Sequence, residues 1–195
     1  MTSDENATLR PRVEPFEERL IARFRRGEPE ALGTLFDLYV DRVFAFVRHM
    51  LSNREDAEEV TSEVFVRAFE RATTFRGEGS FRGWLFRIAR NLCLDHIRQP
   101  RLLWLDTEEA DALSDMGRAS LEMQTRLIVQ EAVQELAPEH RMVLLLCDVE
   151  EWDAKEVALM MERSLSATKS LLYRARMALR ERLEVVSKEE RDGDL

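Results

Sequence analysis

The chain has 195 residues, a formal net charge of −9, 45% hydrophobic residues and 34% charged ones. That length holds one medium domain or two small ones. No apolar run approaches the roughly 20 residues that cross a bilayer, and the N-terminus lacks the basic-then-apolar pattern of a secretory signal. Cys93 and Cys147 lie far apart in no metal-ligand spacing, so both read as buried thiols of a soluble, intracellular protein.

Seven glycines and five prolines leave little for turns and favour long helices. Residues 1–17 are polar, proline-containing and without periodicity, which predicts a disordered tail. From Glu18 to Leu51 apolar residues recur every three or four positions (Leu32, Leu35, Phe36, Tyr39, Val43, Phe46, Val47), the signature of amphipathic helix. Asn53 opens another helix whose apolar stripe is Ala57, Val60, Val64, Phe65, Ala68 and Phe69. Its opposite face carries Asp56, Glu58, Glu59, Glu63 and Glu70. A glycine loop at Gly77–Gly79 then leads into a helix from Ser80 to Arg98, which Pro100 stops.

The stretch 75–101 reverses the charge of the chain. Six arginines oppose only Glu78 and Asp95, for a net +4, and they alternate with Phe75, Phe81, Trp84 and Phe86. Guanidinium groups neutralise phosphates and aromatic faces stack on unpaired bases, so the segment has the chemistry of a single-strand nucleic-acid grip. Trp84 and Ile88 fall at helical spacing between the arginines and read as packing residues, with stacking left to their neighbours.

Residues 102–126 gather Asp106, Glu108, Glu109, Asp111 and Asp115 and predict an acidic linker. Beyond it, Leu127–Leu136 is helical and Pro138 starts a helix to about Val149. Asp153-x-x-Glu156 resembles a capping box for a short helix, Ala154–Met161. The turn Glu162–Leu165 joins this to a long helix ending near Arg182, and from Arg163 to Arg182 six basic residues oppose Glu181 alone, net +5. A short helix, a tight turn and a basic helix form a helix-turn-helix, whose second helix enters the DNA major groove. Thr168, Leu172, Ala175 and Leu179 share its inward face.

Together these runs resemble the extracytoplasmic-function (ECF) group of bacterial RNA polymerase sigma factors. DRVFAFVRHMLSNREDAEEVTSEVFVRAF and FRGEGSFRGWLFRIARNLCLDHIR are similar to region 2 of that family. LAPEHRMVLLLCDVEEWDAKEVALMMERSLSATKSLLYRARMALRERL is similar to region 4. The resemblance covers about residues 20–184. It implies an all-α protein with two small helical domains: region 2 at 18–101 and region 4 at 127–184, joined by the linker 102–126 and followed by a tail at 185–195. It implies no enzyme activity and no cofactor. The expected partners are promoter DNA and core RNA polymerase, through the clamp helices of its largest subunit and its flap region, and the group commonly uses an anti-sigma factor.

Residue roles follow from that resemblance. Asp56, Glu59, Val60 and Glu63 stand where the family docks on polymerase. Gly79, Ser80 and Phe81 stand in the loop that pockets a base flipped from the minus-ten element, with Arg87, Arg90, Asn91 and Arg98 along the helix facing DNA. Lys169, Ser170, Tyr173 and Arg174 match positions that read the minus-thirty-five element, and Arg176 is either a phosphate contact or an intramolecular pair. Departures from the family pattern include Ser62 for Gln, Glu162 for the turn glycine, and Thr168 and Leu171 where Val and Arg are common. Leu171 then removes a charge beside the groove, and Glu162 implies backbone strain or a longer first helix.

The acidic total does not oppose DNA binding, because counterion release depends on charge at the contact. A linker of about 25 residues reaches ~85 Å, comparable with two elements about 25 base pairs apart at ~3.4 Å per pair. Two rivals fit less well. A dimeric helix-turn-helix regulator leaves the arginine–aromatic segment unexplained. A metal or hydrolytic enzyme using Cys93, Asp95, His96 and His140 lacks a convergent cluster, since adjacent helical residues point about 100° apart.

Overall fold

The structure, a computed structural model, describes residues 15–51, 53–77, 79–99 and 121–193. Most of the expected linker and the N-terminal tail up to residue 14 lie outside them. Eight α-helices make up most of the described residues: α1 Pro15–Phe24, α2 Pro29–Met50, α3 Arg54–Glu70, α4 Phe81–Arg98, α5 Leu121–Gln134, α6 Pro138–Leu144, α7 Ala154–Met160 and α8 Leu165–Gly193.

Local chemistry sets most of their ends. The span expected as one helix from Glu18 to Leu51 is two, because Gly27 takes a positive φ of 75° and Pro29 restarts the chain. Asn53 caps α3 by accepting from the Asp56 amide, and Ser80 caps α4 by accepting from the Gly83 amide. Ser164 does the same for α8 through the Ala167 amide. Three expected boundaries move. Helix α1 begins at Pro15, inside the span 1–17 read as a disordered tail. Helix α5 begins at Leu121, inside the span read as linker, and α8 continues to Gly193, through the span read as a tail. Acidic residues at a helix start and alternating charge near its end weaken a periodicity reading without preventing a helix.

Helices α1–α4 pack around Phe24, Leu35, Phe46, Met50, Leu85 and Phe86, all essentially inaccessible to solvent. Burying each such side chain contributes about 1.5–3 kcal/mol before packing losses are counted. Helices α5–α8 enclose Met142, Leu146 and Met160. Between α6 and α7 the chain makes a π turn, Leu145–Val149, in place of further α-helix. The two groups of helices share a seam, where Trp152 lies 5.2 Å from Phe86, ring centre to ring centre.

Arg141 knits this seam. Its side chain is buried and donates to the carbonyls of Val133, Gln134 and Leu136 at the end of α5, and to Met50 O at the end of α2, at 2.6 Å. Carbonyls at a helix end have no intrahelical partner. One guanidinium therefore closes two helices from different halves of the chain.

Among the described residues, two non-glycine positions hold left-handed backbone: Glu151 at φ 55° and Glu162 at φ 57°. The departure at Glu162 is thus strain, and α7 ends before it. Glu162→Gly should raise the unfolding free energy by about 0.5–1 kcal/mol, since a side chain at that φ costs roughly 1 kcal/mol. Thermal unfolding checks this, with an expected rise of about 2–3 °C.

Candidate nucleic-acid and polymerase interfaces

The loop before α4 is shaped by glycine. Gly77 and Gly79 sit at φ 78° and 85°, where any other residue is strained. No side or main chain crowds the position a Cβ would take at Gly79, so conformation rather than space selects glycine there. Gly79 is exposed and Ser80 half-buried, with the Ser80 hydroxyl committed to capping.

Phe81 does not present a ring to solvent. It is 3% exposed and packs among Phe24, Tyr39, Phe75 and Trp84, with centroids 5.3–5.7 Å away. Phe75 and Phe86 are buried as well. Trp84 is the one ring of the segment that stays partly exposed. Trp84 and Ile88 pack as expected, Trp84 against Phe24, Phe75 and Phe81, but the neighbouring rings expected to stack are buried too. The cause is the small core of this half, which needs several large rings from one helix to fill it.

The arginines behave as expected of a surface. Arg87, Asn91 and Arg98 are exposed at spacings of four and seven along α4, hence on one face. Arg90 is half-buried and donates to Asn91 Oδ1 at 3.1 Å, while its Nε is buried with no partner among the described atoms. This face, with the Gly79 loop at its head, is a cationic strip whose polar side chains reach solvent, where phosphates or base edges can meet them.

The acidic face of α3 is only partly available. Glu59 is exposed, whereas Val60 is 7% exposed and belongs to the core. Val60 therefore packs within the fold and offers no exposed side chain to a partner. Asp56 is half-buried and lies 3.1 Å from His96 Nε2 on α4, and Glu63 pairs with Arg67 at 2.6 Å. Asp56 therefore also ties two helices together. Sequence reading missed the apolar members of this face, Val66 and Phe69, both substantially exposed. Their exposure could not follow from the α3 periodicity, which puts Phe69 on the inner stripe.

In the helix-turn-helix, Lys169, Ser170, Tyr173 and Arg174 all face solvent on α8, Tyr173 at 67%. Arg176 is held by both oxygens of Asp148, at 3.0 and 2.6 Å, which is the intramolecular alternative. The π turn delivers Asp148 to this position. Leu171 is 4% exposed, so it does not stand beside the groove, and Thr168 is fully buried with its hydroxyl donating to Ser164 O. Leu171 packs inward with Thr168 and Ala175, a register in which an arginine would have no solvent.

Neither thiol is poised for chemistry. Burial pushes Cys93 up to about 12 and Cys147 up to about 11, far from the thiolate range. His49, at the end of α2, is lowered by burial and then by the Arg48 charge. A histidine held below its ordinary 6.5 binds fewer protons folded than unfolded, so stability falls as pH drops through and below that value. Melting temperature should decline from pH 7.5 to 5.5, and His49→Gln should flatten that slope. An unchanged slope in the variant would remove the assignment.

Comparison with known proteins gives the family. The model for Sigma-70 region 2 matches residues 35–102 and that for Sigma-70 region 4 matches residues 126–179. The fold and its surfaces thus define a sigma-type initiation factor. Among the relatives, the ECF RNA polymerase sigma factor BldN of Streptomyces coelicolor is 33% identical over 162 residues, covering 80% of this chain and 61% of BldN. SigW of Bacillus subtilis is 27% identical over 181 residues, covering 85% of this chain and 96% of SigW. The chain belongs to the ECF group of sigma factors, whose members are transcription initiation factors and not enzymes. The same fold occurs in RpoE of Bartonella quintana, solved with the anti-sigma factor NepR (TM-score 0.63, 22% identity, 78% of this chain and 96% of that one). Among the described residues, no helix is long and apolar enough to cross a membrane.

Proposed function

We propose that this chain is a promoter-specificity subunit that binds core RNA polymerase and starts transcription at a particular set of promoters in the cytoplasm. The observation that carries this reading is the pairing of two unlike nucleic-acid surfaces on one chain. The α4 strip suits melted DNA, and the exposed residues of α8 suit a duplex major groove.

In this reading Gly79, Ser80, Arg87, Arg90, Asn91 and Arg98 meet the minus-ten element. The loop accepts an extruded base, at a cost of a few kcal/mol offset by contacts in the pocket. Phe81 supports the loop from below and does not stack. Lys169, Ser170, Tyr173 and Arg174 read the minus-thirty-five element. Glu59 with the flanking Asp56 and Glu63 meets the polymerase clamp helices, the exposed Val66 and Phe69 add apolar area, and region 4 meets the flap. An anti-sigma factor is the expected regulator.

Reconstitution tests this directly. Core polymerase with the purified chain should initiate from a cognate promoter, selected from genomic fragments, that core alone ignores. Glu59→Lys should weaken core binding about tenfold, because it reverses an exposed charge without touching the packing. If core neither binds the chain nor gains promoter-specific initiation, the reading fails.

A further inference from the structure

Arg176 is bound within the protein and yet stands among the residues of α8 that face solvent. Lys169, Tyr173 and Arg176 are spaced by four and three residues, which puts them on one stripe of the helix. All three are exposed, the Arg176 side chain at 57%. Thr168, Leu171 and Ala175 are buried on the inward side.

The grip of Asp148 on this side chain has a definite geometry. Nε donates to Oδ2 at 3.0 Å and Nη2 to Oδ1 at 2.6 Å, a side-on fork that fixes the plane of the guanidinium. Arg42, by contrast, meets Glu150 through one carboxylate oxygen, a single anchor for Nε and Nη2 at 3.0 and 2.7 Å. The fork leaves Nη1 and the second hydrogen of Nη2 unused by any bond among the described residues. That remaining edge matches the paired oxygens of a phosphate.

Charge and orientation pull in opposite directions here. A carboxylate beside DNA repels phosphates, so on charge alone its removal should tighten binding. An exposed arginine, however, loses side-chain freedom when it meets a phosphate, and that loss weakens binding. Asp148 imposes the loss at folding, before DNA arrives.

We propose that Asp148 is a positioning residue for duplex DNA: it holds Arg176 so that its remaining edge bonds one phosphate beside the minus-thirty-five element and sets the register of α8. The proposal rests on the reading of α8 as the minus-thirty-five reader. The two roles expected as alternatives for Arg176, phosphate contact and intramolecular pair, are then one arrangement. Phosphate contacts orient a recognition helix and leave base identity to its neighbours, here Lys169, Ser170, Tyr173 and Arg174.

Holoenzyme reconstituted with Asp148→Ala, Arg176→Ala or both tests this, its affinity for the cognate promoter fragment measured by competition at fixed salt. Arg176→Ala should weaken binding roughly tenfold, the loss of one charge-assisted contact. Asp148→Ala should weaken it about fivefold through orientation, against the sign that its charge predicts. The double variant should match Arg176→Ala, because Asp148 acts through Arg176. A loss caused by damaged folding would instead persist in the Arg176→Ala background. A neutral methylphosphonate moved along the minus-thirty-five backbone should cost the wild type affinity at one phosphate and cost Arg176→Ala none there. If Asp148→Ala does not fold, Asp148→Asn, which keeps the size and drops the charge, takes its place with a smaller loss of the same sign. Binding by the Asp148 variant that equals or exceeds the wild type overturns the proposal, as does an equal loss in both backgrounds. Lys169→Ala separates the two readings. If it weakens binding while the Asp148 variant does not, the minus-thirty-five reading stands without the positioning role. If Lys169→Ala and Arg176→Ala both leave binding unchanged, the reading of α8 itself is lost.

Discussion

Arg141→Met should lower the unfolding free energy by about 3 kcal/mol and the melting temperature by about 6–12 °C. Methionine fills much of the same volume, so the loss is one of hydrogen bonding more than packing. Four carbonyls lose their donor at once: three closing α5 and one closing α2. The carbonyls of Gln134, Leu136 and Met50 have no backbone amide to replace the guanidinium, whereas that of Val133 keeps the Leu136 amide. Burial already disfavours the charge, holding this arginine below its ordinary pKa, so the net benefit is less than four independent bonds suggest. Arg141→Lys should recover little of the loss, because three donors on one ammonium cannot fan across carbonyls from two helices. Differential scanning calorimetry is the check, and a shift under about 2 °C for the methionine variant would contradict the role.

Arg87→Ala combined with Arg98→Ala should cut promoter opening by roughly 30–100-fold while leaving holoenzyme assembly unchanged. Both side chains are exposed on α4, so no core packing is lost, while Arg87→Ala also removes one hydrogen bond to the Leu159 carbonyl. Removing two cations from a single-strand contact should reduce the salt slope of binding by about 1.4. Permanganate footprinting of the melted region gives the first quantity, and oligonucleotide titration across salt concentrations gives the second. The salt slope matters most here, since a structural defect would weaken binding without altering counterion release. An unchanged slope with reduced opening would move these arginines from DNA contact to a role inside the protein.

The helices and their faces were legible because their causes are local. Caps at Asn53 and Ser80, proline starts at Pro29 and Pro138, and apolar stripes on α2 and α3 need nothing but neighbours in sequence. The exposed sets on α8 and α4 follow from the same periodicity. The rest depends on how much core each half has to fill. Phe75, Phe81 and Phe86 look like stacking residues in a basic segment, yet they are large apolar groups that this core takes in beside Phe24 and Phe46. Correspondence with a family pattern puts Val60 and Leu171 on surfaces, while packing places both inside. The seam was illegible for a different reason. Arg42 and Glu150 are 108 residues apart, as separated as their bond is direct.

The π turn at Leu145–Val149 has a consequence for how such a chain can change over generations. A π turn holds one residue more than the α-helix it interrupts. Losing that residue would rotate the downstream chain by about 100° and carry Asp148 away from Arg176. The recognition helix would gain an unclaimed guanidinium beside the groove with its own sequence untouched. A single in-frame codon deletion, well outside α8, thus changes which charges α8 presents to solvent.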